Sequence, residues 1–374
     1  EGKVLYVWFD APIGYISATK QWAINNNKDW SPYWNDKDTK LVHFIGKDNI
    51  VFHCIIFPIM LHAHGDYILP ENVPANEFMN LEGDKMSTSR GWSIEMHEYL
   101  EDFPDKVDEL RYYLTAIAPE TADSEFTWKD YQARVNNELV AILGNFVNRV
   151  MVLMHKYFEG KVTGASTGIK DPNLHKEIST AYDEMGTSFE NYKFRQAQQN
   201  MMEVARLGNR YLTEQEPWKT FKDDPEATRE VLHECLYIIG HLATLMQPFL
   251  PGTAQKLFRM LNLKSAYRFD EAFVFEDGHT LQQPELLFQK IEDETIEQQI
   301  QKLNAKKASM ETSATTPELN PAKAAINYDQ FSAMDIRVGT ILAAEKVAKT
   351  QKLLKLTIDT GLDQRTVVSG IAEH

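Results

Sequence analysis

The sequence runs to 374 residues, 43% of them hydrophobic, with a net charge of −15. That length and apolar content allow two or three domains with real cores. The acidic balance excludes a general nucleic-acid coat, which would carry a basic excess, but not a protein that reads one nucleic acid at a few points.

No unbroken apolar run reaches the length needed to cross a bilayer, and Gly2 to Phe9 is too short and too polar for a signal peptide. Cys54 and Cys235 are far apart and supply no disulfide framework. A soluble, cytoplasmic protein with no membrane partner is expected. Both ends read as cut: Val4 to Phe9 is a buried-strand pattern with nothing before it to pair with, and the chain stops soon after a strand-like run, Thr366 to Ser369. A segment of a longer protein is therefore expected.

Residues 1 to about 92 alternate strands and helices. The strand 4–9 leads through Asp10-Ala11-Pro12 into a helix over Ile13 to Asn25. The strand 41–45 leads through Gly46-Lys47-Asp48 into an apolar helix from about Ile50 to His62. A third strand, near Glu77 to Leu81, leads into Lys85-Met86-Ser87-Thr88-Ser89-Arg90-Gly91. Strand–turn–helix units of this kind build a parallel sheet that binds ligands at the carboxyl ends of its strands, where all three loops fall.

The Lys85 loop carries the clearest chemistry. A lysine supplies a point charge, and Ser87, Thr88 and Ser89 supply hydroxyl donors, a set suited to a polyphosphate. Gly83 and Gly91 let the backbone bend around it. Taken alone, so short a string is as often an ordinary polar surface loop.

From about Ser93 to Leu261 the spacing is helical. Ile142, Phe146, Val150, Leu153 and Met154 share one face, as do Leu232, Leu236, Ile239 and Leu242. Pro217, Pro225, Pro248 and Pro251 punctuate the helices of a bundle. Residues 293–327 are charged and then rich in Ala, Ser, Thr and Pro, which reads as a short helix and a linker. From Phe331 the pattern alternates as in strands, with Gly339 placed for a bulge, and suggests the start of a small barrel. His62 and His64 are joined by no acid or cysteine, so no metal site is read in this chain.

Three stretches carry a resemblance. Val7-Trp8-Phe9-Asp10-Ala11-Pro12-Ile13-Gly14-Tyr15, then Phe44-Ile45-Gly46-Lys47-Asp48 with Phe52-His53, then Lys85-Met86-Ser87-Thr88-Ser89, resemble in order the two methionine-pocket segments and the second class signature of the methionyl-tRNA synthetases, a family of class I aminoacyl-tRNA synthetases. The resemblance runs over nearly the whole chain. It implies an α/β plus all-α plus β architecture: residues 1–92 as the second half of a Rossmann-like catalytic domain, 93–127 as a connecting helical segment, 128–292 as a helical anticodon-binding domain, 293–327 as a linker and 328–374 as the start of an OB-type tRNA-binding domain. The family's first signature, His-x-Gly-His, and its zinc-binding insert are not in this sequence and are expected before residue 1. Position 88 is threonine where the class usually carries a second lysine.

The resemblance implies ATP-dependent activation of methionine and transfer to the 3′ adenosine of tRNA(Met). Lys85 is then the catalytic cation, and Gly46, Asp48, Lys85, Ser87 and Thr88 touch ATP with its Mg2+. Asp48 reads at least as well as a cap for the helix that follows. Trp8, Ala11, Pro12, Tyr15 and His53 would line the methionine pocket, with the Tyr15 hydroxyl or His53 as the donor to sulfur. Taken alone, Trp8 reads as core and His53 as a satisfied helix histidine. Asn145 and Arg149, one helical turn apart, with Trp218 after a helix-starting proline, would read a CAU anticodon by edge hydrogen bonds and stacking. On spacing alone they read as a solvated pair and a buried tryptophan. Zinc is expected only in the segment before residue 1, and a homodimer through the OB-type domain is implied. Two alternatives stand beside this reading: another class I synthetase for an aliphatic amino acid, and a tRNA-binding module without catalysis. Residues 1–374 alone are expected to form no adenylate.

Overall fold

The computed structural model describes residues 11–164, 168–264, 268–269, 271–313, 329, 332–333, 338–348, 350 and 352–371. The strand expected at 4–9, and Trp8 with it, lie outside the described residues. The chain divides into two units, Glu1–Ala314 and Thr315–His374.

In the first unit, helix α1 spans Ile13–Asn25, the bounds expected from sequence. Pro12 precedes it with φ −61°, already at the helical value, so the ring starts the helix at no conformational cost. The strand expected over 41–45 is broken into β1 (Leu41–Val42) and β2 (Ile45–Gly46). The helix α2, Phe52–His64, follows a 3-10 turn over Lys47–Asn49 and ends at Gly65, whose φ of 91° suits a residue without Cβ. Its first five residues, Phe52–Ile56, are π-helical. Pro58 has no N–H for its fourth predecessor, and the wider turn is the local solution that keeps the helix going. Ile16, Trp34, Phe57 and Leu61 form a small core between α1 and α2.

The strands pair as short parallel fragments: β1 with β3 (Pro70–Asn72), and β2 with β4 (Ala75–Asn76). Next, β5 (Met79–Leu81) lies between β6 (Asp84–Lys85), antiparallel, and β7 (Ser124–Phe126), parallel. Between β6 and β7 run α3 (Met96–Asp102) and α4 (Val107–Ala116).

The bundle is built on α5, Trp128–Phe158, which is π-helical over Val135–Gly144. By length and composition this helix is apolar enough to span a membrane, which the sequence reading missed. Its apolar side is spent within the protein: Val135, Leu139, Leu143, Phe146, Val150 and Met154 are fully buried. Helices α6 (Pro172–Glu190), α7 (Phe194–Gln215), α8 (Pro225–Met246) and α9 (Pro251–Met260) close around it. Of the two faces read from sequence, Leu232, Leu236, Ile239 and Leu242 are fully buried, while Ile142 and Leu153 pack at the rim. One core runs without a break from Leu81 through the bundle to Leu303, so the boundary expected near residue 92 interrupts no packing.

The segment expected to be a short helix and linker instead holds a 21-residue helix, α10, Asp293–Ser313. Its polar sequence hides a narrow apolar edge: Ile296 and Leu303, two turns apart, are buried in the main core.

The second unit is a three-stranded antiparallel meander of β8 (Thr340–Lys346), β9 (Leu354–Asp359) and β10 (Gln364–Ser369). The register slips between Ile341 and Ala343, not at Gly339 as expected. Gly339 serves a different need, since a Cβ there would overlap Ile358.

Candidate active site and RNA-facing surface

The Lys85 loop is formed by two nested turns. Leu81 and Asp84 pair across a two-residue hairpin whose Glu82 and Gly83 have φ 46° and 84°, the conformation a tight antiparallel turn requires. The chain then reverses again over Thr88–Arg90. Ser87 N–H donates to the Trp92 carbonyl at 2.9 Å and Trp92 N–H returns the bond to the Ser87 carbonyl at 2.9 Å. Gly91, with φ 65°, closes the turn.

Lys85 itself is exposed, its Nζ 5.1 Å from the centroid of Phe78. Among the described residues no carboxylate pairs with it. Lys47 stands on the same ring, 4.2 Å from its centroid, but is held by Glu77 and by Asp123 at 3.0 Å, and these carboxylates push its pKa up. Of the two lysines on Phe78, Lys85 is the one left free for an incoming anion. Ser87 Oγ lies 3.2 Å from Ser89 Oγ, and Thr88 is exposed. Arg90, not singled out from sequence, donates to the Lys85 carbonyl at 3.3 Å and adds a second cation to the loop.

Gly46 is exposed in β2 with open space where a Cβ would stand, so a ligand can reach the backbone. Asp48 is exposed in the 3-10 turn over Lys47–Asn49, and the helix that follows is capped by Val51 without a side-chain bond, so the capping role expected for Asp48 is not seen.

The segments around Tyr15 and His53 meet directly. The Tyr15 hydroxyl and His53 Nε2 are 2.8 Å apart, and His53 Nδ1 is 3.0 Å from the Asn49 carbonyl. Since a carbonyl only accepts, Nδ1 carries a proton, and in the neutral ring Nε2 accepts from the tyrosine. The Tyr15 hydroxyl proton is thus given to His53 and the Nδ1 proton to Asn49, so the two side chains form one hydrogen-bonded pair. His43, missed from sequence, completes the cluster, with ring centroids 5.3 Å from Tyr15, 5.4 Å from His53 and 5.8 Å from Phe57. Burial and the neighbouring His53 push its pKa down. Pro12 is buried at the start of α1, beside exposed Ala11.

On the bundle, Asn145 is exposed where α5 leaves its π-helical stretch. Arg149 lies one turn on, and its guanidinium carbon is 4.9 Å from the centroid of Trp218. Trp218, in the turn Pro217–Thr220, is 36% exposed and so not the buried tryptophan its spacing suggests. The structure joins Trp218 and half-buried Arg149 into a partly exposed cation–aromatic platform beside Asn145. Among the described residues no three His, Cys, Asp or Glu side chains lie close enough to hold a metal ion.

Family models match nearly the whole chain: tRNA synthetases class I (M) over residues 1–151, the anticodon binding domain of methionyl tRNA ligase over 162–308, and a putative tRNA binding domain over 336–374. The parallel strands, the Lys85 loop and the bundle are thus those of a class I aminoacyl-tRNA synthetase. Methionine–tRNA ligases from Christiangramia forsetii, at 55% identity, and Cytophaga hutchinsonii, at 56%, each align with all of the chain and with 55% of their own length. A solved Mycobacterium tuberculosis methionyl-tRNA synthetase in complex with methionyl-adenylate superposes with a TM-score of 0.66 at 25% identity, over 76% of this chain and 56% of that one. The apo form of that enzyme, at 23% identity and a TM-score of 0.65, has the same fold over 77% of this chain and 56% of its own. The chain belongs to the methionyl-tRNA synthetase family. It spans about half the length of the curated relatives it matches.

Proposed function

We propose that the protein is a methionine–tRNA ligase, in which this chain contributes the pocket wall around Tyr15 and His53, the Lys85 loop and the anticodon-reading bundle. The observation that carries this reading is the Tyr15–His53 hydrogen bond, which joins the two segments specific to methionine within the class.

Activation joins the methionine carboxylate to the α-phosphate of ATP and expels pyrophosphate. Charge builds on the bridging and leaving oxygens, so the protein's work is positioning and electrostatic stabilisation. Lys85 meets the leaving pyrophosphate, with the hydroxyls of Ser87 and Thr88 as weaker donors. Gly46 gives the nucleotide access to backbone, and Asp48 faces solvent beside it. Mg2+ would arrive with ATP and would supply further neutralisation of phosphate charge beside Lys85. The pocket holds the methionine side chain against Tyr15, His53, Pro12 and Ala11; Trp8, which the resemblance adds to this set, lies outside the described residues. A methylene error is worth only about 1–3 kcal/mol in such a pocket, so homocysteine and norleucine are partly admitted.

The tRNA is read on the bundle. Trp218 stacks an unpaired base, Arg149 steadies the ring from its other side, and Asn145 bonds a base edge; we assign them to a CAU anticodon. Dimerisation through the unit Thr315–His374 and a cytoplasmic location complete the proposal.

Binding to a tRNA with a CAU anticodon is compared with binding to the same tRNA with one anticodon base changed, at fixed salt. A loss of tenfold or more, removed by Trp218→Ala, supports the assignment. Equal binding to both would return Asn145, Arg149 and Trp218 to structural roles. For the chemistry, Lys85→Ala in the full-length protein is expected to lower methionine-dependent ATP–pyrophosphate exchange by roughly 10²–10³, with KM for methionine unchanged. An exchange rate like wild type would remove Lys85 from catalysis.

A further inference from the structure

The Lys85 loop has two ends, Asp84 before it and Trp92 after Gly91, and a single side chain from far along the chain touches both. Lys307, on α10, holds the Asp84 carboxylate with its Nζ at 3.1 Å. The same ammonium lies 4.6 Å from the centroid of the Trp92 ring. Trp92 is fixed from beneath, buried and donating its indole N–H to the Leu81 carbonyl at 2.7 Å. The arm that carries Lys307 is fixed too. Lys302 reaches Asp102 at 2.7 Å and Glu98 at 3.1 Å, Lys306 reaches Glu98 at 2.6 Å, and Gln299 reaches Asp102 at 3.0 Å. With Ile296 and Leu303 in the core, little backbone freedom is left to lose when Lys307 engages.

We propose that Lys307 is a positioning residue for the Lys85 loop, closing the base of that loop by holding Asp84 and Trp92 together. This rests on reading the loop as the phosphate-binding element. The chemical need follows from position 88: with threonine there, Lys85 works without the second lysine usual in the class. A phosphate transition state is then served by Lys85, with Arg90 the loop's other cation tied to the Lys85 carbonyl, and the register of the loop must be set before ATP arrives. Fixing both ends of a seven-residue loop limits how far Lys85 wanders. It does so without occupying Lys85 itself, since the Lys307 ammonium is engaged by Asp84 and the Trp92 ring.

The test is amide hydrogen exchange over residues 85–92 of the full-length protein, in wild type, Lys307→Ala, Lys307→Arg and Lys302→Ala. The paired N–H groups of Ser87 and Trp92, and that of Gly91 bonded to the Thr88 carbonyl at 3.0 Å, report each opening of the loop. Lys307→Ala should speed their exchange roughly threefold to tenfold, the worth of an exposed ion pair and a cation–aromatic contact. Lys307→Arg keeps both contacts and should restore most of the protection. Lys302→Ala should loosen α3 and leave the loop as in wild type. Unchanged exchange in Lys307→Ala overturns the proposal. So does equal speeding by Lys302→Ala, since docking of the whole helix would then hold the loop. In ATP–pyrophosphate exchange, kcat/KM for ATP should fall severalfold in Lys307→Ala, with KM for methionine unchanged. A loosened loop with unaltered kcat/KM for ATP would also overturn it. If wild type shows no exchange activity, the ligase reading fails, and the hydrogen-exchange arm still decides what Lys307 does to the loop.

Discussion

At the scale of single residues, the site is a set of side chains whose partners decide their chemistry. That Tyr15 and His53 belong together was legible only through the resemblance, since spacing alone reads His53 as a satisfied helix histidine; the structure brings the two side chains into contact. Their order of donation was not legible, because it depends on the Asn49 carbonyl fixing the His53 tautomer. Tyr15→Phe deletes one hydroxyl and leaves His53 Nε2 without its bond. Losing that bond costs about 1–2 kcal/mol, so KM for methionine in pyrophosphate exchange should rise about tenfold while KM for ATP holds. An unchanged KM for methionine would show that the pair lies outside the pocket.

Two histidines of the bundle, His233 and His241, are held neutral by burial, their pKa values pushed down to about 4. The unfolded chain takes up these protons near pH 6.5, and the folded chain only near 4. Stability from each is therefore complete above pH 6.5 and is lost as pH falls from 6.5 towards 4. Glu109 and Glu234, whose pKa values burial raises, act in the opposite sense, so one variant must isolate the effect. Between pH 7.5 and 5, His241→Gln should lose about 2 kcal/mol less unfolding free energy than wild type. Parallel pH dependences in denaturant titrations would show that His241 is not buried as described.

At the scale of elements, periodicity revealed what is amphipathic and missed what is not. Helix α1 and the buried face of α8 were read correctly because their apolar spacing or capping residues are local signals. The helix α10 was read mostly as linker because only a narrow edge of Ile296, Ile300 and Leu303 meets the core, and much of the rest of its docking is by ion pairs with residues about 200 positions away. No spacing rule reaches that far, and Lys307 went unnoticed for the same reason. The π-helical stretches in α2 and α5 were likewise invisible, since hydrophobic pattern reports a face and not the hydrogen-bond register. Close helix packing depends on small residues in particular places. At Gly208, in α7, a Cβ would overlap the ring of Phe146 in α5. Gly208→Ala must push that fully buried ring aside, so it should cost about 1–3 kcal/mol and lower Tm by several degrees, against the small gain alanine brings to an exposed helix. A Tm equal to or above wild type would mean that α5 and α7 are further apart than described.

At the scale of the whole molecule, charge and recognition pull in different directions. A chain with a net charge of −15 repels a polyanion at long range, yet its bundle presents Arg149 over Trp218 beside Asn145. Such a surface gains specificity from stacking and base-edge bonds, which salt affects little, and gains little from counterion release. On the proposed function, the acidic body would keep other RNA away and leave the platform to select. Two consequences separate this from a basic RNA coat. Binding of tRNA should weaken only shallowly with salt, with a slope of log K against log salt of about −2 to −4, where a coat making many phosphate contacts would approach −10. Trp218→Ala should weaken binding about tenfold or more and leave that slope unchanged, because a stacked base releases no counterion. Arg149→Ala should weaken binding and, if the guanidinium serves the ring and not a phosphate, leave the slope unchanged as well. A steep slope that flattens in Arg149→Ala would show that the platform grips the backbone, and the discrimination among anticodons would then have to come from elsewhere in the protein.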